Sequence, residues 1–119
     1  MKVAVLGAST KPERYSYKAI KMLKDHGHEV FPVNPAYPEV LDLKCYPSLS
    51  ELPEKIHTLS VYISPDKILP FIQEIIQLSP QRVILNPGSE SKDLIENLEK
   101  ASISYLEACT LVLLSTNQF

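Results

Sequence analysis

Cysteine is scarce: the 119 residues hold two, Cys45 and Cys109. That count excludes a disulfide-dense extracellular scaffold and reads as two reduced thiols in a cytoplasmic chain. No stretch approaches the roughly 20 apolar residues of a membrane span, so no membrane association is expected. The early apolar run, Val3–Leu6, is too short for the apolar core of a signal peptide, and none is read there. Positive charge is not in excess either. The formal net charge is −2, which leaves no global basic field for nucleic acid. What remains is ordinary for one globular domain over residues 1–119: 45% hydrophobic and 22% charged residues, a length that buries a core without disulfides or metals.

The order of patterns gives the fold class. Val3–Leu6 is a compact apolar run without a polar face, as in a central parallel strand covered on both sides. A helix follows from about Ser16 to His26, with Ser16 as N-cap, a stripe of Ala19, Met22, Leu23 and His26, and Gly27 as its stop. His28–Val33 is the second strand, and Pro32 within it points to an edge position or a strand end. Ala36–Cys45 reads as irregular, Tyr46–Leu49 as a turn, and Ser50–Lys55 as a single helical turn capped by Ser50. Thr58–Ile63 is the third strand. Ser64-Pro65-Asp66 has the form of an N-cap and first turn, although Pro70 must end or kink the helix that follows. Arg82–Leu85 is the fourth strand. Ser89 or Ser91 caps a helix with Leu94, Ile95, Leu98 and Ala101 on its buried side, and Ser104–Leu106 is the fifth strand. The apolar tail Cys109–Leu114 reads as a last helix on the sheet or as part of a homodimer contact. Strands alternating with helices predict an α/β, Rossmann-like doubly wound fold with about five mainly parallel strands and helices on both faces.

In such a sheet the ligand lies beyond the carboxyl ends of the strands. The loops there are Gly7-Ala8-Ser9, Asn34-Pro35, Ser64-Pro65 and Asn86-Pro87-Gly88. None carries a cluster of His, Cys or acidic residues, so no catalytic constellation and no metal site is read. The first loop has a physical reading: Gly7 turns sharply, Ala8 and Ser9 add little bulk, and Lys11 and Arg14 supply positive charge for phosphate. Two further absences narrow the ligand. No glycines follow Gly7 at the offsets of the dinucleotide fingerprint, and no Lys-Ser/Thr pair of a P-loop is present. The second strand ends in Asn34 where a typical NAD site has an acid for the ribose. A bare strand-to-helix turn remains the alternative for the first loop.

Taken together, VAVLGASTKPERYS at Val3–Ser16, VFPVNP at Val30–Pro35, YPSL at Tyr46–Leu49 and LNPG at Leu85–Gly88 resemble the CoA-binding domain family, small proteins similar to the CoA-binding domain of succinyl-CoA synthetase. The resemblance implies that Gly7, Ala8 and Ser9 line the CoA phosphates through N–H groups and the serine hydroxyl, with Arg14 pairing with phosphate. It implies that Val33, Asn34 and Pro35 lie beside the adenosine, and that Ser64, Pro65, Asn86, Pro87 and Gly88 form the rest of the wall. The chain departs from many relatives at Asn86, where they carry Gln, and at Thr58-Leu59-Ser60, where they have an acid. Larger relatives are ligases with a phosphorylated histidine in a following domain. This chain is expected to end before such a domain, and His26, His28 and His57 read as ordinary solvated or hydrogen-bonding side chains.

The expected function is therefore non-catalytic binding of coenzyme A or an acyl-CoA in the cytoplasm. Two alternatives stay open: an NAD(P) or other nucleotide sensor on the same fold, and a regulatory or scaffold partner with a vestigial pocket. Cys109, after the fifth strand, and Cys45 are the thiols that a mixed disulfide with CoA would use. Tyr15, Tyr17 and Tyr46 are candidates for stacking on adenine.

Overall fold

The computed structural model describes the whole of Met1–Phe119. In chain order the strands are β1 (Lys2–Leu6), β2 (Glu29–Val33), β3 (Glu39–Val40), β4 (Leu43–Lys44), β5 (Thr58–Val61), β6 (Arg82–Leu85) and β7 (Ser104–Glu107). The helices are α1 (Tyr15–Asp25), α2 (Ile72–Leu78), α3 (Lys92–Lys100) and α4 (Thr110–Ser115). Five strands form one parallel sheet in the order β2-β1-β5-β6-β7, while β3 and β4 form a separate antiparallel hairpin. This is the doubly wound α/β arrangement the sequence predicts, with its reversal of strand order between β1 and β5.

The two faces of β1 explain its unbroken apolar sequence. Val3 and Val5 pack with Ile20 and Leu23 of α1 and Leu114 of α4. Ala4 and Leu6 point the other way, into a larger core with Ile68, Ile75, Leu94 and Leu98. With helices on both faces, no position from Val3 to Leu6 is left for a polar residue. β2 is the outer strand, as Pro32 requires. The carbonyl of Pro32 turns outward to accept the N–H of Tyr46 at 2.9 Å, so its ring nitrogen also faces away from β1 and costs the sheet no hydrogen bond.

Several local expectations are corrected. Ser16 is not the cap of α1. Arg14 occupies that position in extended backbone, no side chain caps the helix, and Ser16 is a buried member of the stripe Ser16, Ala19, Ile20, Leu23. Met22 is only half-buried and His26 is exposed. Gly27 does end the helix: at φ +83° its N–H donates to the Lys24 carbonyl and that of His28 to the Leu23 carbonyl, a Schellman closure. Residues 36–45 are not irregular, since Leu41 and Asp42 (φ +49° and +64°) turn β3 into β4 without the glycine or asparagine that usually announces such a turn. The helical turn expected over Ser50–Lys55 is a 3-10 turn, Leu49–Glu51, which starts after Ser48.

The helix expected at Ser64-Pro65-Asp66 does not begin there. Ser64 to Lys67 make one isolated turn, and Pro70 lies in the first turn of a 3-10 segment, Leu69–Phe71, that leads into α2. A continuous helix would set the Pro70 ring against the carbonyl of Asp66. Ser91, not Ser89, caps α3 by accepting the Leu94 N–H at 3.2 Å, and Ala101 is the exposed C-cap residue rather than part of the buried stripe. The tail forms α4. Leu114 seals it against the α1 side, and Val112 remains 54% exposed.

Gly7 (φ +90°) sits where β1 leaves the sheet, and a Cβ placed on it would lie 2.7 Å from the Tyr62 carbonyl oxygen. Gly27 has the same handedness with nothing within 4 Å. The two separate backbone strain from crowding. Gly27→Ala is expected to cost about 1–2 kcal/mol, the left-handed penalty alone, and Gly7→Ala at least about twice that. Urea denaturation of both variants checks this; equal costs would show that the Tyr62 backbone yields freely.

Candidate functional site

Between β1 and β5 the carboxyl ends of the strands open a crevice, and its first wall is built from the loop after β1. The N–H groups of Gly7 and Ala8 both donate to the Val33 carbonyl, at 3.1 and 3.2 Å. Of the three loop amides expected to meet phosphate, only that of Ser9 is therefore free of a protein partner. The Ser9 hydroxyl accepts the Lys11 N–H at 3.0 Å and the Lys11 carbonyl accepts the Arg14 N–H at 3.0 Å, which shapes the turn into α1. The donors the loop loses are replaced by the helix. No protein group accepts from the N–H of Tyr15, Ser16 or Tyr17, and the first turn carries no acid.

These groups surround a cavity of about 330 Å³, lined by Gly7, Ala8, Ser9, Lys11, Arg14 and Asn34 together with Tyr15, Ser16, Tyr37 and Tyr62. Ser16 is 5% exposed, lines the cavity, and its hydroxyl has no hydrogen-bond partner in the protein. A second cleft of about 250 Å³ adjoins it and shares Gly7 and Asn34. Its walls are mainly apolar, including Val33, Pro35, Pro47, Ile63 and Phe71, with Lys67 as its only charged residue. No aspartate or glutamate lines either cleft, and Lys11, Arg14 and Lys67 take part in neither of the two ion pairs, Lys2–Glu54 and Lys21–Asp25.

Asn34 fastens this arrangement. Its Nδ2 donates to the Ala8 carbonyl at 2.7 Å and its Oδ1 accepts the Ala36 N–H at 2.8 Å. An aspartate here would turn an acceptor toward the Ala8 carbonyl. The residue that bears on the NAD reading is thus a loop fastener whose amide is needed as both donor and acceptor.

The remaining predicted residues are not gathered with these. Ser64 is half-buried and Pro65 exposed, and neither lines the two clefts. Pro87 and Gly88 are exposed on the loop after β6. Asn86 is 1% exposed and serves the fold: Nδ2 donates to Ser60 Oγ and to the Val61 carbonyl, both at 2.9 Å, and Oδ1 accepts the Thr110 N–H at 2.8 Å. Ser60 Oγ and Thr110 Oγ1 are 2.8 Å apart, so a buried polar layer ties α4 to β5 and β6. Its outlier is Tyr62. The hydroxyl is buried near Ser60 and Thr110 but meets hydrogen-bond geometry with neither, and burial pushes its ionisation up to about 12.

The other titratable candidates lie elsewhere. The Cys45 thiol is buried, donates to the Asn34 carbonyl at 3.5 Å, and is pushed up by that burial, which makes it a poor nucleophile. Cys109 is the half-buried N-cap residue of α4. His28 contacts the amino terminus and His57 contacts Thr58, both at the amino ends of the strands, across the sheet from the crevice. Of the tyrosines considered for stacking, Tyr15 lines the cavity, Tyr46 packs against Phe31, and Tyr17 lies in a groove beside Leu111. The sequence reading missed Ser16, Tyr37, Tyr62 and Lys67. Ser16 was mistaken for a cap, and the positions of the other three depend on chain segments that meet only in the folded sheet.

Two variants test these roles. Asn34→Asp is expected to lower stability by about 1–3 kcal/mol, the cost of leaving the Ala8 carbonyl opposite an acceptor; urea denaturation measures it. Tyr62 sets an alkaline limit. Its folded-state ionisation is raised, so the folded protein keeps a proton that the unfolded chain releases, and stability falls as pH rises from about 10 toward 12. A shift of that size corresponds to a loss of about 2–3 kcal/mol. In Tyr62→Phe this part of the alkaline decline in melting temperature is expected to vanish, while stability at neutral pH holds or rises.

A family model described as a CoA binding domain matches residues 1–115. An ADP-forming acetate–CoA ligase of Methanocaldococcus jannaschii is 35% identical over 72 residues, which are 60% of this chain and 10% of the ligase. The chain thus corresponds to about a tenth of that relative's length. YneT of Bacillus subtilis, an uncharacterized protein, is 27% identical over 112 residues, 93% of this chain and 83% of its own. A solved structure from Thermus thermophilus superposes with a TM-score of 0.90 at 29% identity, covering 99% of this chain and 90% of that one. With its doubly wound sheet, its crevice at the strand-order reversal and a family match over nearly its full length, the chain belongs to the CoA-binding domain family.

Proposed function

We propose that this chain binds coenzyme A or an acyl-CoA in the crevice between β1 and β5 and carries no chemistry of its own. The observation that carries the reading is the uncapped, acid-free amino terminus of α1, facing a cavity with the unpartnered Ser16 hydroxyl, the free Ser9 N–H, Lys11 and Arg14. That donor set suits a diphosphate: amides and hydroxyls for its oxygens, a helix dipole and two cations for its charge. The adjoining apolar cleft, stiffened by Pro35 and Pro47, suits a flat base such as adenine. Family membership supports the same ligand. The ligase relative is named for acetate and CoA, and only the CoA is carried over to this chain, which matches a tenth of it. The polar groups deeper at the β5 and β6 ends, Ser60, Asn86 and Thr110, are engaged with one another, which supports a binding role over a catalytic one. Two free cysteines suit the reducing cytoplasm.

Calorimetric titration with CoA and with NAD(H) tests the reading. CoA is expected to bind, and to bind more tightly than NAD(H); no CoA binding at millimolar concentration would falsify it. In a folded Arg14→Ala protein CoA binding is expected to weaken by about 1–3 kcal/mol, the scale of a charge-assisted hydrogen bond. Affinity should also fall with added salt, because the cations of the cavity are exposed to screening.

A further inference from the structure

The crevice holds its positive charge in two places. Lys11 and Arg14 stand at the cavity before α1, whereas Lys67 stands in the apolar cleft, on the turn after β5. The two clefts meet at Gly7 and Asn34, so a single ligand can occupy both. Lys67 forms no ion pair, and its backbone is held by its N–H bond to the Ser64 carbonyl at 2.9 Å. Lys67 is exposed and is the one charged side chain in a cleft otherwise walled by Val33, Pro35, Ile63 and Phe71.

CoA carries its phosphate charge with the same division. Its diphosphate leaves the ribose at the 5′-carbon, and a separate monophosphate sits on the 3′-carbon, on the adenosine end. With the diphosphate at α1 and the base in the apolar cleft, the ribose lies where the two clefts meet, and its 3′-phosphate, on the ring face opposite both the base and the diphosphate, is a separate charge for which Lys67 is the one lining cation apart from Lys11 and Arg14. We infer that Lys67 reads the 3′-phosphate and makes the crevice selective for 3′-phosphorylated ligands over the same molecules without that phosphate. The inference rests on the CoA reading above and adds the residue that distinguishes CoA from other adenosine diphosphate derivatives. A flexible ammonium suits this task, because a monophosphate at a solvent-facing edge needs a point charge rather than a fixed fork.

The test is a cycle of two ligands against three proteins: CoA and 3′-dephospho-CoA, titrated calorimetrically into the parent chain, Lys67→Ala and Lys67→Arg. The parent is expected to prefer CoA by about 10-fold, the scale of one charge-assisted contact. Lys67→Ala loses that preference, with CoA binding weakened about 10-fold more than 3′-dephospho-CoA binding, and Lys67→Arg keeps it. A preference that survives in Lys67→Ala, or a loss shared equally by both ligands, overturns the assignment while leaving CoA binding intact. Equal affinity of the parent for both ligands does the same. A parent chain that binds neither ligand overturns the CoA reading itself, which is a separate result.

Discussion

One carbonyl oxygen, that of Val33, governs the site. It accepts the N–H of both Gly7 and Ala8, and this pair of hydrogen bonds to the end of β2 fixes where the chain leaves β1. The exit demands a left-handed residue, and the approach of the Tyr62 carbonyl from β5 leaves room only for hydrogen at that position. Two strands on opposite sides of β1 thus converge on Gly7. Asn34, next to Val33, locks the following carbonyl, that of Ala8. The exit of the chain from β1 into the cavity wall is placed by this small set of contacts.

Spending the first two loop amides on the fold changes how an anion is to be held. The donors pass from the loop to the start of α1, where the extended backbone of Arg14 opens the helix without a side-chain cap. A capping serine or aspartate would have satisfied those N–H groups and placed an acceptor against an incoming anion. Ser16 sits two residues past the cap position and instead lines the cavity. The local field follows the same logic. The chain as a whole carries net charge −2, yet the residues lining the two clefts are cationic or neutral. The acids stand elsewhere on the surface, so attraction for an anion is local and short in range.

The fold was legible because its signals are strong and short in range. An apolar run without alternation, glycines after β1 and α1, and a proline that only an edge strand tolerates each have one simple physical reading. Elements built on weaker cues were not legible. The hairpin turn at Leu41-Asp42 has residues that rarely adopt positive φ, and Ser64-Pro65-Asp66 carries a helix-start pattern that Pro70 cancels four residues past Asp66. At the site, Gly7, Ala8, Ser9, Lys11, Arg14 and Asn34 were read from the sequence and do meet around one cavity. Asn86 was read as wall because it ends a strand. Its burial and its bonds to Ser60, Val61 and Thr110 depend on α4 folding back from 24 residues away. Tyr37, Tyr62 and Lys67 stayed invisible for the same reason.

The polar layer under α4 also bears on what the crevice can discriminate. Ser60, Asn86 and Thr110 satisfy one another, and the Asn34 amide is held at both of its atoms. Side-chain amides and hydroxyls that often read a ribose or a base are therefore occupied in this chain by the work of closing the sheet's carboxyl end. What stays free is of three kinds: the backbone N–H groups and Ser16 hydroxyl at α1, the buried Tyr62 hydroxyl, and lysine or arginine side chains that are not ion-paired. All of them can meet anionic oxygens, and hydrogen bonds to a charged acceptor are the stronger ones. The apolar cleft adds shape but no hydrogen-bond code. For a ligand that carries phosphates, the unpaired cations make the number and spacing of its charges the strongest property on which this set of free groups can discriminate.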